Sequence, residues 1–146
     1  METVYCVFNK SNETFLGLHV SVAATSLARL RGLLGKLCLR AGEGLWLIPS
    51  CGVHTIGVLF PIDVIYLNKQ NRVVYLREHL TPFGIGRLRF DSSSVLELPP
   101  HTIYATGTRV GDDLLICPAE ELPAHFPGSK NPVDAGIGPL WSNLCR

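Results

Sequence analysis

Residues 49–68 constrain the fold more than any other part of the chain, because this stretch is apolar and repeats with a period of two. From His54 onward, alternate residues would share one face of an extended strand: His54, Ile56, Val58 and Phe60. Pro61 has no amide hydrogen to give to a central ladder, so we expect the strand to break there. The pattern resumes over residues 62–67, and the stretch therefore predicts two consecutive strands.

Asp63 is the charged residue inside the second of these strands. It falls on the same face as Ile65 and Leu67, so its carboxylate would face an apolar side. A buried carboxylate is unfavourable unless a hydrogen-bond donor reaches it. We therefore expect a buried polar site here, with Arg31 or His54 as the donor to Asp63.

Short alternating segments separated by turn residues recur along the rest of the chain. They predict further extended segments at residues 3–8, 15–22, 45–48, 72–76, 94–98, 102–106 and 112–117. Leucines at helical spacing between Thr25 and Leu37 predict one short helix in the N-terminal half. This pattern predicts a mostly β, single-domain protein, either a β-sandwich or a partly closed barrel with that helix added.

The composition changes at Pro118. Residues 1–117 read as the β-rich body, whereas residues 118–146 are rich in proline and glycine and have little periodicity. Such a segment buries little apolar surface by itself. We expect a C-terminal tail that wraps the surface or is partly disordered.

Charge and apolar content exclude several classes of protein. The net charge is +1 and charged residues make up 17% of the chain, which gives no electrostatic case for nucleic acid or an anionic membrane. No apolar run approaches the roughly 20 residues that a membrane-spanning helix needs. The first residues lack the pattern of a secretory signal, so we expect a cytoplasmic protein. The five cysteines have irregular spacings, and we expect reduced thiols.

Several ordered blocks resemble one family. They are the Arg-Gly-Leu-Leu-Gly of residues 31–35, the blocks at residues 51–58 and 60–67, the Val-Leu-Glu-Leu-Pro of residues 95–99, and Gly111-Asp112. Over about residues 18–115 the chain resembles the domain-of-unknown-function 192 family. The resemblance implies a small, mostly β domain of sandwich type with a shared site, and it implies no particular reaction.

The chain departs from that family's pattern at two places. Val58 and Leu59 stand where the family usually has Met followed by Arg, and Pro100-His101 replaces a small residue followed by Gly. The change at Leu59 removes a cation that could have met a ligand.

Four ionisable residues lie in or beside apolar runs within these blocks, namely Arg31, His54, Asp63 and Glu97. One interpretation places them around a single polar pocket near His54 and Asp63 that binds a small ligand or a protein partner, with Cys51 and Thr55 as further contacts. The alternative is a structural network in which Arg31 holds a carboxylate and ties the helix to the sheet. Glu97 could also lie on a solvated face.

Two other classes of function remain open. The chain could be a hydrolase-like enzyme that uses His54 with Asp63 or Cys51, or an interaction module with no small-molecule site. Cys51 and His54 have the spacing of a metal-binding pair, but no second pair completes a structural zinc site, so we expect no metal. The sequence contains no cofactor motif, and we expect no cofactor.

Overall fold

The structure, a computed structural model, describes residues 2–24 and 36–127. Within them a seven-stranded mixed sheet curls into a half-barrel. The strands are β1 (Tyr5–Asn9), β2 (Thr14–Ala23), β3 (Glu43–Leu47), β4 (Ile62–Leu67), β5 (Val73–Leu80), β6 (Ser94–Leu98) and β7 (Leu114–Pro118), in the spatial order β5-β4-β6-β3-β2-β1-β7. The pair β2–β3 is parallel and the other pairs are antiparallel. The mostly β prediction is therefore confirmed, and the architecture is that of a partly closed barrel.

The two central strands β4 and β6 are buried along their whole length. One face of the sheet packs Ile62, Val64 and Val95 into one apolar cluster, and the other packs Ile65 and Leu96 into a second cluster. Strands covered on both faces carry nearly continuous apolar sequences. Both strands have the bounds that the sequence predicted.

Residues 102–106 form a short helix, α1 (Thr102–Thr106), so the extended segment predicted there is wrong. The Thr102 hydroxyl donates a hydrogen bond to the Pro99 carbonyl oxygen at 2.7 Å. Gly107, at φ 63°, ends the helix and donates its N–H to carbonyl oxygens of α1. These local hydrogen bonds outweigh the β propensity of Ile and Tyr. The helix predicted between Thr25 and Leu37 falls mainly on residues outside the described part.

Residues 54–60 do not form the strand that their alternation predicted. Only His54 pairs, in an isolated antiparallel bridge with Ile85. The chain then turns, because Gly57 adopts φ 81° and the Val58 N–H donates to the Thr55 carbonyl oxygen at 3.0 Å. The segment is a loop that pairs with residues 81–89.

The first residues of the predicted tail contact the sheet. After a 3₁₀ turn (Ala119–Glu121), α2 (Leu122–His125) buries Leu122. Phe126 packs edge to face against Phe8 with the ring centroids 4.7 Å apart. The division at Pro118 stays a prediction.

The cysteines differ in state. Cys6 and Cys117 are buried free thiols that lie opposite each other across the β1–β7 pair, and Cys51 is a half-buried free thiol. Cys38 is disulfide-bonded, so the expectation of a reduced thiol is wrong at that residue. An odd number of cysteines and irregular spacing do not exclude a single bridge. Among the described residues, no helix is long and apolar enough to cross a bilayer.

Candidate functional site

Asp63 lies on β4 and is completely buried. Its Oδ1 accepts the backbone N–H of His79 at 2.9 Å, and its Oδ2 accepts the backbone N–H of Ile103 at 2.9 Å. These two bonds tie β4 to the end of β5 and to the first turn of α1. The donors that the structure assigns to Asp63 are thus main-chain amides, where the sequence had suggested Arg31 or His54.

Glu97 lies on β6 with 4% of its surface exposed. Its cross-strand neighbours are Leu45 and Val64, both in the apolar cluster on that face. Within the described part of the chain, its carboxyl group makes no hydrogen bond, and burial raises its pKa to about 8. Glu97 is therefore a buried acid in apolar surroundings rather than a residue on a solvated face.

The residues predicted to surround one pocket occupy separate places. Asp63 pairs with Leu98 and lies on the face of the sheet that carries the apolar cluster of Leu98. Glu97 pairs with Val64 and lies on the opposite face. His54 is exposed beside Ile85. Arg31 lies outside the described residues. Asp63 and Glu97 therefore do not line one common pocket.

Thr55 is completely buried and has a structural role. Its hydroxyl donates to the Thr81 carbonyl oxygen at 2.6 Å and accepts the Gly84 N–H at 2.7 Å. The backbone adds bonds between Thr55 and residues 83–84. Thr55 thereby fixes the loop of residues 50–61 to the loop of residues 81–90.

Cys51 and His54 make no side-chain hydrogen bond with each other in the described part of the structure. Within residues 2–24 and 36–127, no three His, Cys, Asp or Glu side chains lie close enough together to hold a metal ion.

A groove that the sequence did not reveal lies beside the edge strand β5. It encloses about 310 Å³ and is lined by Tyr75, Arg77, Leu80, Ile85, Gly86 and Arg87; we call it the arginine groove. The lining contains two guanidinium groups and no carboxylate. A second groove of about 410 Å³, on the other side of β5, holds Glu78 as well as Arg109.

The two arginines of the arginine groove have no acidic partner in the part of the chain that the structure describes. Among the described residues, neither Arg77 nor Arg87 forms an ion pair, whereas the nearby Arg89 donates two hydrogen bonds to Asp91, at 2.9 and 2.6 Å. The guanidinium carbons of Arg87 and Arg89 lie 5.6 and 5.2 Å from the centre of the Tyr75 ring. Positive charge is therefore concentrated around one aromatic ring.

Buried groups hold the Arg87 backbone in place. The hydroxyl of Tyr66, a completely buried residue, donates to the Arg87 carbonyl oxygen at 2.6 Å. A Cβ at Gly86 would lie 2.5 Å from Val53 and 2.7 Å from the Tyr66 hydroxyl, so the close approach needs glycine. Burial raises the pKa of Tyr66 to about 12, although the nearby Arg77 and Arg89 act to lower it. The hydroxyl stays protonated and available as a donor.

The curled sheet, the helix α1 and the loops that form the groove define a small half-barrel β domain. The chain belongs to the domain-of-unknown-function 192 family (DUF192, uncharacterized ACR), because the model of that family matches residues 7–116. The resemblance found in the sequence is thus confirmed. No curated protein matches the chain.

Two solved structures share the fold. One is a protein of unknown function from Novosphingobium aromaticivorans DSM 12444, which is 20% identical, with a TM-score of 0.66 over 76% of this chain and 82% of that one. The other, from Sinorhizobium meliloti 1021, is named as a candidate transcription regulator and is 17% identical, with a TM-score of 0.66 over 79% of this chain and 95% of that one. At these identities the likeness shows the fold alone.

Proposed function

We propose that this protein binds a small anionic ligand, carrying a phosphate or carboxylate group, in the arginine groove. The observation that carries the proposal is the pair Arg77 and Arg87, which line one groove without an acidic partner in the described residues. Two unpaired guanidinium groups repel each other, and an anion between them removes that repulsion. Guanidinium groups also match the oxygens of phosphate and carboxylate groups in pairs.

The backbone and the walls of the groove are already in place before an anion binds. Tyr66 and Gly86 fix the backbone of Arg87, so less conformational entropy is lost when an anion binds. The Tyr75 ring and the side chains of Leu80 and Ile85 supply apolar walls. A site with apolar walls and a few placed polar groups is typical of small-ligand binding.

Of the residues that the interpretation of the sequence assigned to a ligand site, the proposal keeps His54 and leaves out Asp63. His54 pairs with Ile85 and so lies at the rim of the arginine groove, where it could contact a ligand. Asp63 accepts two main-chain amides away from the groove and acts as a structural carboxylate. Catalysis is not part of the proposal, because no contact within the described residues joins His54 to Asp63 or Cys51.

Titration calorimetry with inorganic phosphate and with citrate tests the proposal. We expect saturable binding that weakens as salt is raised. The variants Arg77→Gln and Arg87→Gln should each lose about tenfold or more in affinity, since a hydrogen bond to a charged group contributes roughly 1.5–3 kcal/mol.

The matched control is Arg72→Gln, which removes one positive charge from an exposed ion pair with Asp113 outside the groove. It should bind like the parent protein. Equal losses in all three variants would show general charge attraction, and no binding by the parent protein would contradict the proposal.

A further inference from the structure

Two paired loops next to the arginine groove expose large apolar side chains. The side chains of Ile56, Leu59, Phe83, Ile85, Leu88 and Phe90 are 53, 61, 67, 77, 59 and 87% exposed, and we call them the apolar platform. They belong to the loop segments of residues 50–61 and 81–90. Six large apolar side chains exposed on two neighbouring loops favour contact with a protein or a membrane.

The loops that carry the apolar platform are held rigidly. The Thr55 N–H donates to the Gly84 carbonyl oxygen, and the Gly86 N–H donates to that of Val53, both at 2.8 Å. The Arg89 N–H donates to the Cys51 carbonyl oxygen at 2.8 Å. The apolar side chains are therefore presented on fixed backbone, and little further ordering is needed when they are buried.

The same loops carry arginines and no carboxylate of their own. Residues 50–61 and 81–90 contain Arg87 and Arg89 but no Asp or Glu. Arg89 is paired with Asp91 directly after the second loop, so Arg87 is the loop arginine without an ion pair among the described residues. Arg77 adds a further cation from β5, and Ile85 belongs both to the platform and to the lining of the arginine groove. Although the net charge of the whole chain is close to zero, this local surface combines arginines with exposed apolar groups.

We propose that the anion held by the arginine groove is the headgroup of a phospholipid with net negative charge, and that the apolar platform enters the interface of an anionic bilayer. This inference rests on the proposed function and names the source of its ligand. Phe83 and Phe90 have most of their surface free, and a bilayer interface accepts such side chains without a matching pocket. The arginines beside them then meet anionic headgroups.

Vesicle sedimentation tests the proposal with the full chain. We expect the protein to sediment with phosphatidylcholine vesicles that contain phosphatidylserine, and to stay in solution with phosphatidylcholine alone. Raised salt should reduce the bound fraction. The variants Phe83→Ser and Phe90→Ser should lower partitioning by about tenfold, because each removes a large apolar group from the interface.

Three comparisons separate the possible causes. Tyr104→Ser is the matched control, because Tyr104 lies on α1 and is 84% exposed outside the platform; partitioning should be unchanged. Phe83→Ser and Phe90→Ser should still bind inorganic phosphate, whereas Arg87→Gln should lose both phosphate and vesicles. Circular dichroism verifies that each variant is folded.

The outcomes are distinguishable. Binding of phosphate without sedimentation on any vesicle overturns the bilayer proposal, leaves the groove as a site for a free anion, and points to an acidic protein segment as the partner of the platform. Failure to bind both phosphate and citrate overturns the proposed function itself, whereas binding of citrate without phosphate overturns the bilayer proposal alone. Equal loss of partitioning in Tyr104→Ser and Phe90→Ser also contradicts the inference, because binding would then not depend on the platform.

Discussion

The carboxyl group of Glu97 is turned toward Leu45 and Val64, and its stability contribution depends on pH. Its pKa rises from 4.5 to about 8 on folding because burial disfavours the charged form. Below 4.5 the group is protonated in both states and has no effect on stability. As pH rises from 4.5 toward 8, the unfolded chain releases the proton first, so the free energy of unfolding falls.

The predicted fall is about 1.4 kcal/mol per pH unit, or roughly 4–5 kcal/mol over the whole window. Urea denaturation at pH values from below 4.5 to above 8 measures it. In Glu97→Gln the slope should be much smaller, and this variant should be the more stable protein at the alkaline end. Identical slopes in both proteins would show that Glu97 is solvated or has a charged partner.

Asp63 offers a second test at the scale of one residue. Asp63→Ala leaves the buried N–H groups of His79 and Ile103 without acceptors, at about 1–3 kcal/mol each. The free energy of unfolding should fall by roughly 2–5 kcal/mol in denaturant melts. Asp63→Asn, which keeps one carbonyl oxygen as an acceptor, should lose less. A loss under about 0.5 kcal/mol for Asp63→Ala would contradict the structural role.

Whether Arg31 also reaches Asp63 stays a prediction from the sequence. The double variant with Arg31→Ala measures that coupling. Strong coupling supports an ion pair in addition to the main-chain bonds. Effects that add within about 0.5 kcal/mol would exclude the ion pair.

At the scale of elements, the loop of residues 81–90 depends on the Tyr66 hydroxyl. Tyr66→Phe removes the donor to the Arg87 carbonyl oxygen and should cost about 1–2 kcal/mol in stability. The Arg87 backbone would then be held less firmly, so the affinity for the anion, measured by calorimetry on the folded protein, should fall. Tyr104→Phe, at an exposed site outside the arginine groove, is the control. Unchanged affinity in Tyr66→Phe would show that this bond does not position the arginine.

The tail provides another test of an element. With all cysteines reduced in both proteins, removal of residues 127–146 is expected to leave a cooperatively folding body, because the sequence has little periodicity there, with a loss of about 1–3 kcal/mol. A longer deletion from Ala119 also removes the buried Leu122 and the ring contacts of Phe126, and it should cost clearly more. Denaturant melts of both truncated chains give the comparison. Loss of cooperative unfolding in the shorter deletion would place the tail within the core.

For the whole molecule, the sequence predicted the elements that local pattern determines. Residues 62–67 and 94–98 are rich in β-branched and other apolar residues, and β4 and β6 have those bounds. Residues 102–106 have similar propensities, yet they form a helix, and besides its local hydrogen bonds this helix has a long-range one, from the Ile103 N–H to Asp63. Such a long-range contact leaves no mark in the local pattern.

The site was harder to predict than the fold. Every residue except proline carries a main-chain N–H, so the sequence could not show that the amides of His79 and Ile103 would donate to Asp63. Arg77 and Arg87 meet only because the loop after β5 folds back along the strand. One signal was available: residues 81–90 contain two arginines and no carboxylate.

The register of β1 against β7 gives the protein an internal reporter of its own motions. Cys6 and Cys117 face each other across this outermost strand pair, and burial raises the pKa of both thiols, that of Cys6 to about 11. Both thiols are also buried, so a thiol reagent reaches them only when β7 separates from β1 or the chain unfolds. The rate at which Cys6 and Cys117 are modified in native buffer therefore reports the opening of that edge of the sheet.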